Sequence, residues 1–397
     1  MHFFRKIKVL SLEQATVLPY LTYRLAMDGC RVIRLEHPVY GDPNRLVGDP
    51  VIEGEERMNS YYLAINSGKE ALTLNLAEPK GQEILYRLIR ELKIDVFATN
   101  QLPRNYKKLG IDFETLSAIK GDLIWLGITG FGPESNEAAY DPILQARGGL
   151  MELTGEKDGT PQVTGIPLPD MGTSEHCYGL VMKALFVRAM TGKGSRIDVS
   201  MFESTTSWLT VPITMTMTFG KTISRRGNTH EFFAPVSVYP TSDGYVYIAV
   251  GNDKQFQAFS SLPDFSAVAK DEYKRNAGRI ADVKHLNDSI SEATKKMTTE
   301  ELLEKMNKIG VAASKIQTLQ EVAEDPLVAN KLLKAKDAKS GLELTLAPAP
   351  YSTSFLEGNQ RVLSFPPRFG EHNEVILGNE LGMPTDEIAS LKADGII

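Results

Sequence analysis

The first half of the chain alternates short apolar strands with helices, and few folds accommodate that alternation. Residues 7–12 and 31–36 are apolar runs of strand length, with a helical run at 18–27 between them. Gly29 follows that helix where a left-handed residue closes the last turn. Residues 79–92 place Ile84, Leu85, Leu88, Ile89 and Leu92 at helical spacing, and 95–98 and 123–127 are further strands. A helix at 179–188, a strand at 196–200 and a helix at 202–210 continue the pattern. Strands separated by helical crossovers run parallel. The expected fold class is therefore α/β, with a Rossmann-like doubly wound parallel sheet in a large domain.

The pattern changes after Pro212. A Met- and Thr-rich connector, 213–219, leads to Arg225-Arg226-Gly227-Asn228-Thr229-His230. A hairpin follows, 236–240 and 245–250, turning at Ser242-Asp243-Gly244. Helices continue to about residue 322, one of them opened by Thr298 and Glu301 at capping-box spacing. A Pro-rich stretch, 346–367, and a short helix after Pro384 complete the chain. We expect residues 1–212 to form the large α/β domain, 213–330 a smaller α+β domain with its linkers, and 331–397 a segment returning to the large one.

Composition excludes several partners. The net charge is −6 and the Lys and Arg residues are scattered, so no basic face suits nucleic acid. No apolar run reaches membrane-spanning length. The N-terminus passes straight into a strand without the apolar core of a signal peptide, and Gly395-Ile396-Ile397 is no peroxisomal address. Cys30 and Cys177 lack metal-ligand spacing and read as reduced thiols, so the expected setting is cytoplasmic. The six histidines are too scattered for a metal site. Glu36 closes the second strand where a ribose-binding acid would stand. The first strand–helix turn, Leu12-Glu13-Gln14-Ala15-Thr16-Val17-Leu18-Pro19, nevertheless has no glycine for close approach to a pyrophosphate, which argues against a nicotinamide cofactor.

Asp170 lies in Gly165-Ile166-Pro167-Leu168-Pro169-Asp170-Met171-Gly172-Thr173, before a helix expected over 174–190. Two readings stand side by side. It is a helix N-cap, or it is a lone nucleophilic carboxylate, ionised at neutral pH from an ordinary value of about 3.9.

The order of motifs along the chain resembles the family III CoA-transferases, the group of formyl-CoA and carnitine CoA-transferases and, more distantly, 2-methylacyl-CoA racemases. The resemblance rests on Val32-Ile33-Arg34-Leu35-Glu36-His37-Pro38 with Gly41-Asp42-Pro43-Asn44-Arg45, and on Asn66-Ser67-Gly68-Lys69 with Leu72-Thr73-Leu74-Asn75-Leu76. It extends through residues 100–110, Tyr140-Asp141 with Gln145, Arg226-Gly227-Asn228, Ala234-Pro235, Asp243-Gly244 and Gly370-Glu371-His372-Asn373.

The resemblance implies that CoA moves from an acyl-CoA thioester to a free carboxylic acid through an aspartyl anhydride and thioester on Asp170. Coenzyme A is then part of the substrate, and no cofactor is tightly bound. The implied CoA contacts are Thr16, Val17, His37, Leu74, Asn100, Gln101, Arg104 and Lys108. Lys108 stands where the family has Arg, and Gln101 where it has an aromatic residue. Plain core packing is the competing role for Val17 and Leu74. The resemblance also implies an interlocked homodimer, with a heteromer as the variant arrangement. The usual glycine-rich lid has no counterpart between residues 220 and 260. A racemase would carry His before Asp141, but this chain has Tyr140, a poor base near neutrality. Phe232, Phe233, Tyr239 and Trp208 are candidates for an acyl pocket or for core packing. Arg225, Arg226 and His230 are candidates for a second substrate carboxylate or for a solvated basic turn.

Overall fold

Six strands line up side by side in the computed structural model, which describes residues 3–356 and 362–397. They are β1 (Lys8–Leu12), β2 (Arg31–Glu36), β3 (Lys69–Thr73), β4 (Val96–Thr99), β5 (Ile124–Thr129) and β6 (Ser195–Ser200). The order is β3-β2-β1-β4-β5-β6, with every pair parallel. Successive side chains of a strand point to opposite faces, so each apolar strand feeds two cores. Leu10, Ile33, Leu72, Phe97 and Trp125 pack on one face with the helix Pro79–Glu91 and the C-terminal helix Thr385–Ala393. Val9, Val32, Val96 and Ile124 pack on the other, against the helices Val17–Met27 and Leu168–Thr191. Each fully buried aliphatic or aromatic side chain contributes about 1.5–3 kcal/mol.

Three expectations change. β3 is hidden in the sequence because it opens with Lys69 and Glu70. Lys69 is buried against Glu13 and Glu70 pairs with Arg31, so ion pairs stand where apolar alternation would normally show. The helix expected from Ser174 begins at Leu168, because Pro169 fits its first turn. The expected connector at 213–219 belongs to a helix, Thr210–Phe219, closed by Gly220 at φ +65°. Its Thr residues alternate with apolar ones and disguise the helical period, and none of its residues is buried.

The chain divides into two compact units. The first comprises residues up to 150, 163–221 and 330–397; the second comprises 151–162 and 222–329. In the second, β7 (Val236–Pro240), β8 (Tyr245–Ala249) and β9 (Ala312–Lys315) form an antiparallel sheet around Tyr239, Phe259 and Leu286. The capping box at Thr298 and Glu301 opens the helix Thr299–Lys308. In the first unit, β10 (Leu333–Lys336) and β11 (Glu343–Leu346) pair antiparallel. Residues 357–361 of the expected Pro-rich stretch lie outside the described residues. Beyond them the chain borders β3. His372 exchanges two bonds with the Ala71 backbone, at 3.0 and 3.1 Å, and Asn373 accepts the Thr73 N–H at 2.9 Å. The free edge of the sheet is thereby covered. Among the described residues no helix is long and apolar enough to cross a membrane.

Candidate active site

In this strand order the chain reverses direction between β1 and β4, which opens a crevice beyond their C-terminal ends. A cavity of about 830 Å³ lies there. Its walls include Thr16 and Val17 after β1, Asn100 and Gln101 after β4, Gly130 after β5 and Met201 after β6. Asp141 and Asp170 line it as well, together with the loop 163–167.

Asp170 is the third residue of the helix Leu168–Thr191. It is therefore not the N-cap. Pro167 occupies that position, without a side-chain cap. An N–H in the first turn has no partner inside its own helix. Here the Asp170 N–H donates to Asp141 Oδ2 at 3.2 Å. Asp141 is buried, and its other oxygen accepts from Gln145 Nε2 at 2.6 Å. Gln145 in turn accepts the Thr164 N–H at 2.9 Å. One relay of side chains thus pins both ends of the loop that carries Asp170. The Asp170 carboxylate itself accepts no hydrogen bond among the described residues. Burial, with the Asp141 charge second, pushes its carboxyl up to about 7. Two sequence expectations are corrected here: Asp170 is not isolated from other acids, and its affinity for a proton is not ordinary. Burial also raises the Asp141 carboxyl.

The structure gathers Thr16, Val17, Asn100, Gln101 and Asp170 at one cavity. The other implied contacts stand elsewhere. His37 turns back on its own loop, where Nδ1 accepts the Val39 N–H at 3.1 Å. The Leu74 side chain is buried in the core. Arg104 and Lys108 are exposed, and Arg104 borders a separate cavity of about 290 Å³ with Lys107 and Arg196. Tyr239 is core in the second unit, while Trp208 is exposed and rests on the His176 ring at 5.4 Å. Arg225 pairs with Glu152, and Arg226 with Glu231, so neither belongs to a merely solvated turn.

Glu36 has a different task from the ribose contact its position suggested. It is buried between Arg34 and Arg45, at 3.3 and 2.6 Å. Burial alone would raise its carboxyl, but the two guanidinium groups outweigh burial and hold it at about 2. Arg34 also meets Asp42 at 2.8 Å and Glu13 at 3.8 Å, and Lys69 meets Glu13 at 2.9 Å. Burial pushes the Lys69 ammonium down to about 8 against the pull of Glu13.

The family model of CoA-transferase family III matches residues 4–373. The chain belongs to that family. It is 32% identical over 380 residues to the succinate–glutarate CoA-transferase of Agrobacterium fabrum, covering 94% of each chain. It is 29% identical to the human succinyl-CoA:glutarate CoA-transferase, covering 98% of this chain and 89% of that one. A crystal structure of a CAIB/BAIF family protein from Brucella suis superposes with a TM-score of 0.82 at 33% identity, covering 94% of this chain and 98% of that one.

This family III CoA-transferase is an enzyme that moves CoA from an acyl-CoA thioester to a free carboxylic acid. Its cavity is short of positive charge. Among the described residues no Lys or Arg lines it, while Glu137, Asp141 and Asp170 do. Glu137 pairs with Arg147 at 2.9 Å, and the other two acids meet no cation. No group of three or more His, Cys, Asp or Glu residues that could hold a metal occurs among the described residues. In the sequence Asp141 and Gln145 stand out only as parts of a motif. Their i, i+4 spacing was the available signal that one supports the other.

Proposed function

We propose that CoA transfer takes place in this cavity with Asp170 as the nucleophile. The observation that carries the reading is a carboxylate on the cavity wall that has no hydrogen-bond donor or cation of its own among the described residues and is fixed through its backbone by Asp141. An ionised Asp170 attacks the acyl-CoA carbonyl and expels CoA thiolate, which leaves a mixed anhydride. The thiolate attacks the aspartyl carbonyl, releases the donor carboxylate and forms an aspartyl-CoA thioester. The acceptor carboxylate then attacks that thioester, giving a second anhydride and free thiolate. Attack of the thiolate on the acceptor carbonyl yields the new acyl-CoA and restores Asp170. No proton is consumed.

Each tetrahedral oxyanion needs a donor. The Asp170 N–H is committed to Asp141. The backbone N–H groups of Thr16 and Val17 have no partner among the described residues and stand on the same wall. They sit at the start of the helix Val17–Met27, where partial positive charge favours an anion. The names of the relatives suggest dicarboxylic acids of succinate and glutarate size as donor and acceptor.

The chain is proposed to act as a homodimer. The helix Thr210–Phe219 buries none of its residues, and Phe186 and Met190 are exposed on the long helix, so two apolar faces call for a partner surface. Buried, unpaired Cys30 and Cys177 suit a reducing, cytoplasmic setting.

The test is Asp170→Ala assayed with succinyl-CoA and glutarate. The expected result is a loss of at least about a thousand-fold in kcat with an unchanged circular-dichroism spectrum. Activity within a few-fold of the parent enzyme contradicts the assignment.

A further inference from the structure

The turn after β1 carries the two free backbone N–H groups, and its conformation is an unusual one. Ala15 adopts φ +61°, a left-handed region that glycine enters freely and an L side chain disfavours. The surrounding side chains hold it there. The Ala15 N–H donates to Asp42 Oδ1 at 3.1 Å, and the Ala15 carbonyl accepts from Asn44 Nδ2 at 2.6 Å. Asp42 Oδ1 also accepts the Asn44 N–H at 2.9 Å, so the two jaws brace each other. Asp42 Oδ2 is anchored at 2.8 Å by Arg34, which is fully buried. The preceding residue is gripped in the same manner. Gln14 donates its N–H to Asn100 Oδ1 at 3.2 Å and accepts from Asn100 Nδ2 at 2.8 Å. Both backbone atoms of two consecutive residues are thus claimed by side chains from other loops.

We propose that Asp42 and Asn44 are positioning residues for CoA transfer. They hold Ala15 left-handed, and thereby set Thr16 and Val17 on the cavity wall. With alanine where glycine would serve unaided, the turn depends on this clamp. The proposal rests on the reading that acyl-CoA reacts in this cavity. It also assigns Asn100 a supporting task, since its amide is occupied by the backbone of Gln14.

The experiment uses the full chain with Asn44→Ala, Ala15→Gly, the two combined, Ala15→Val, and Asp170→Ala as a reference. Each is measured for kcat and KM with succinyl-CoA and glutarate, and for melting temperature. Asn44→Ala is expected to lower kcat/KM about tenfold in the parent background and only about two- to threefold in the Ala15→Gly background, because glycine holds φ +61° without help. Ala15→Val leaves the jaws intact yet is expected to lose at least as much as Asn44→Ala, since a β-branched residue is an outlier at that angle.

Equal losses in both backgrounds, or a full kcat/KM in Ala15→Val, overturn the clamp. If Asn44→Ala does not fold, Ala15→Gly against Ala15→Val decides the matter: the valine variant must be the weaker of the two, and equality overturns the proposal. Uncoupled losses alongside an inactive Asp170→Ala contradict the clamp alone. Retained activity in Asp170→Ala contradicts the site and the clamp with it.

Discussion

The first unit holds two groups of acids that it treats in opposite ways. Glu13, Glu36 and Asp42 are buried, and each touches at least one cation from Arg34, Arg45 and Lys69. Asp141 and Asp170 border the cavity and touch none among the described residues. Glu36 is held at about 2, and Asp170 is pushed up to about 7. Residue type alone does not distinguish a structural acid from a reactive one. The distinction lies in what the surroundings leave unsatisfied. A carboxylate with two guanidinium partners is locked and inert, whereas one deprived of partners remains available to a carbonyl carbon. The balanced group serves the unbalanced one, because Asp42 belongs to the first and braces the turn that borders the second.

Breaking the balanced group should have the largest effect. Arg34→Met leaves Glu13 and Asp42 buried without their guanidinium partner. The expected loss is about 3–5 kcal/mol of stability, read by chemical denaturation. A denaturation midpoint equal to that of the parent would mean that the network is solvated and its balance immaterial.

The next effect separates the two groups by the sign of their response to pH. The Asp170 carboxyl is raised from 3.8 to about 7, so between these values the folded state holds a proton that the unfolded chain has released. Its contribution to stability therefore falls as pH rises through that window. Asp170→Asn should remove the slope and leave a protein more stable than the parent above pH 7, by on the order of 1 kcal/mol after allowance for solvent, with no difference below about pH 4. Glu36 behaves in the opposite sense. Its stabilisation is present above its unfolded value of 4.5 and is lost as pH falls toward 2. Melting curves for Asp170→Asn and Glu36→Gln across pH 3–8 check both signs, and slopes of the same sign would break the comparison.

A smaller change sharpens it. Asp141 is the second cause of the raised Asp170 carboxyl, after burial. Asp141→Asn keeps an acceptor for the Asp170 N–H but removes the charge. The inflection in kcat/KM against pH, which reports the free enzyme, should move down, and an unmoved inflection would assign the whole effect to burial. The smallest expected change is in Lys108→Ala. This exposed cation should alter the KM for acyl-CoA only a few-fold at low salt and not at all at high salt. A loss that persists in high salt would place a phosphate contact at Lys108 in a drier setting than the structure provides.

Much of the sheet was legible because parallel strands covered on both faces are nearly continuous apolar runs. β1, β2, β4 and β5 show this directly. β3 was not legible, since Lys69 and Glu70 look like surface residues until their partners at Glu13 and Arg31 are known. The helix Thr210–Phe219 escaped for the opposite reason. It has no buried stripe within its own chain, so no 3.6-residue period marks it. Motif order singles out Asp170, but the expectation of an ordinary carboxyl there does not hold, because burial and Asp141 push it up. The groups that change it, Asp141 and the walls of the cavity, come from distant parts of the sequence. The left-handed Ala15, and the Asp42 and Asn44 that make it possible, became visible only when the loops were brought together.

In the proposed mechanism Asp170 reacts covalently because, of the acids lining the cavity, it alone accepts no hydrogen bond and meets no cation among the described residues. The direct measurement is peptide mass spectrometry of the enzyme after incubation with succinyl-CoA and quenching with hydroxylamine, which cleaves an aspartyl anhydride or thioester to an aspartyl hydroxamate. The result expected is a hydroxamate on the peptide carrying Asp170, dependent on acyl-CoA and absent from Asp170→Ala. An unmodified Asp170 peptide recovered from enzyme that is turning over, or a hydroxamate on another acid, would contradict it.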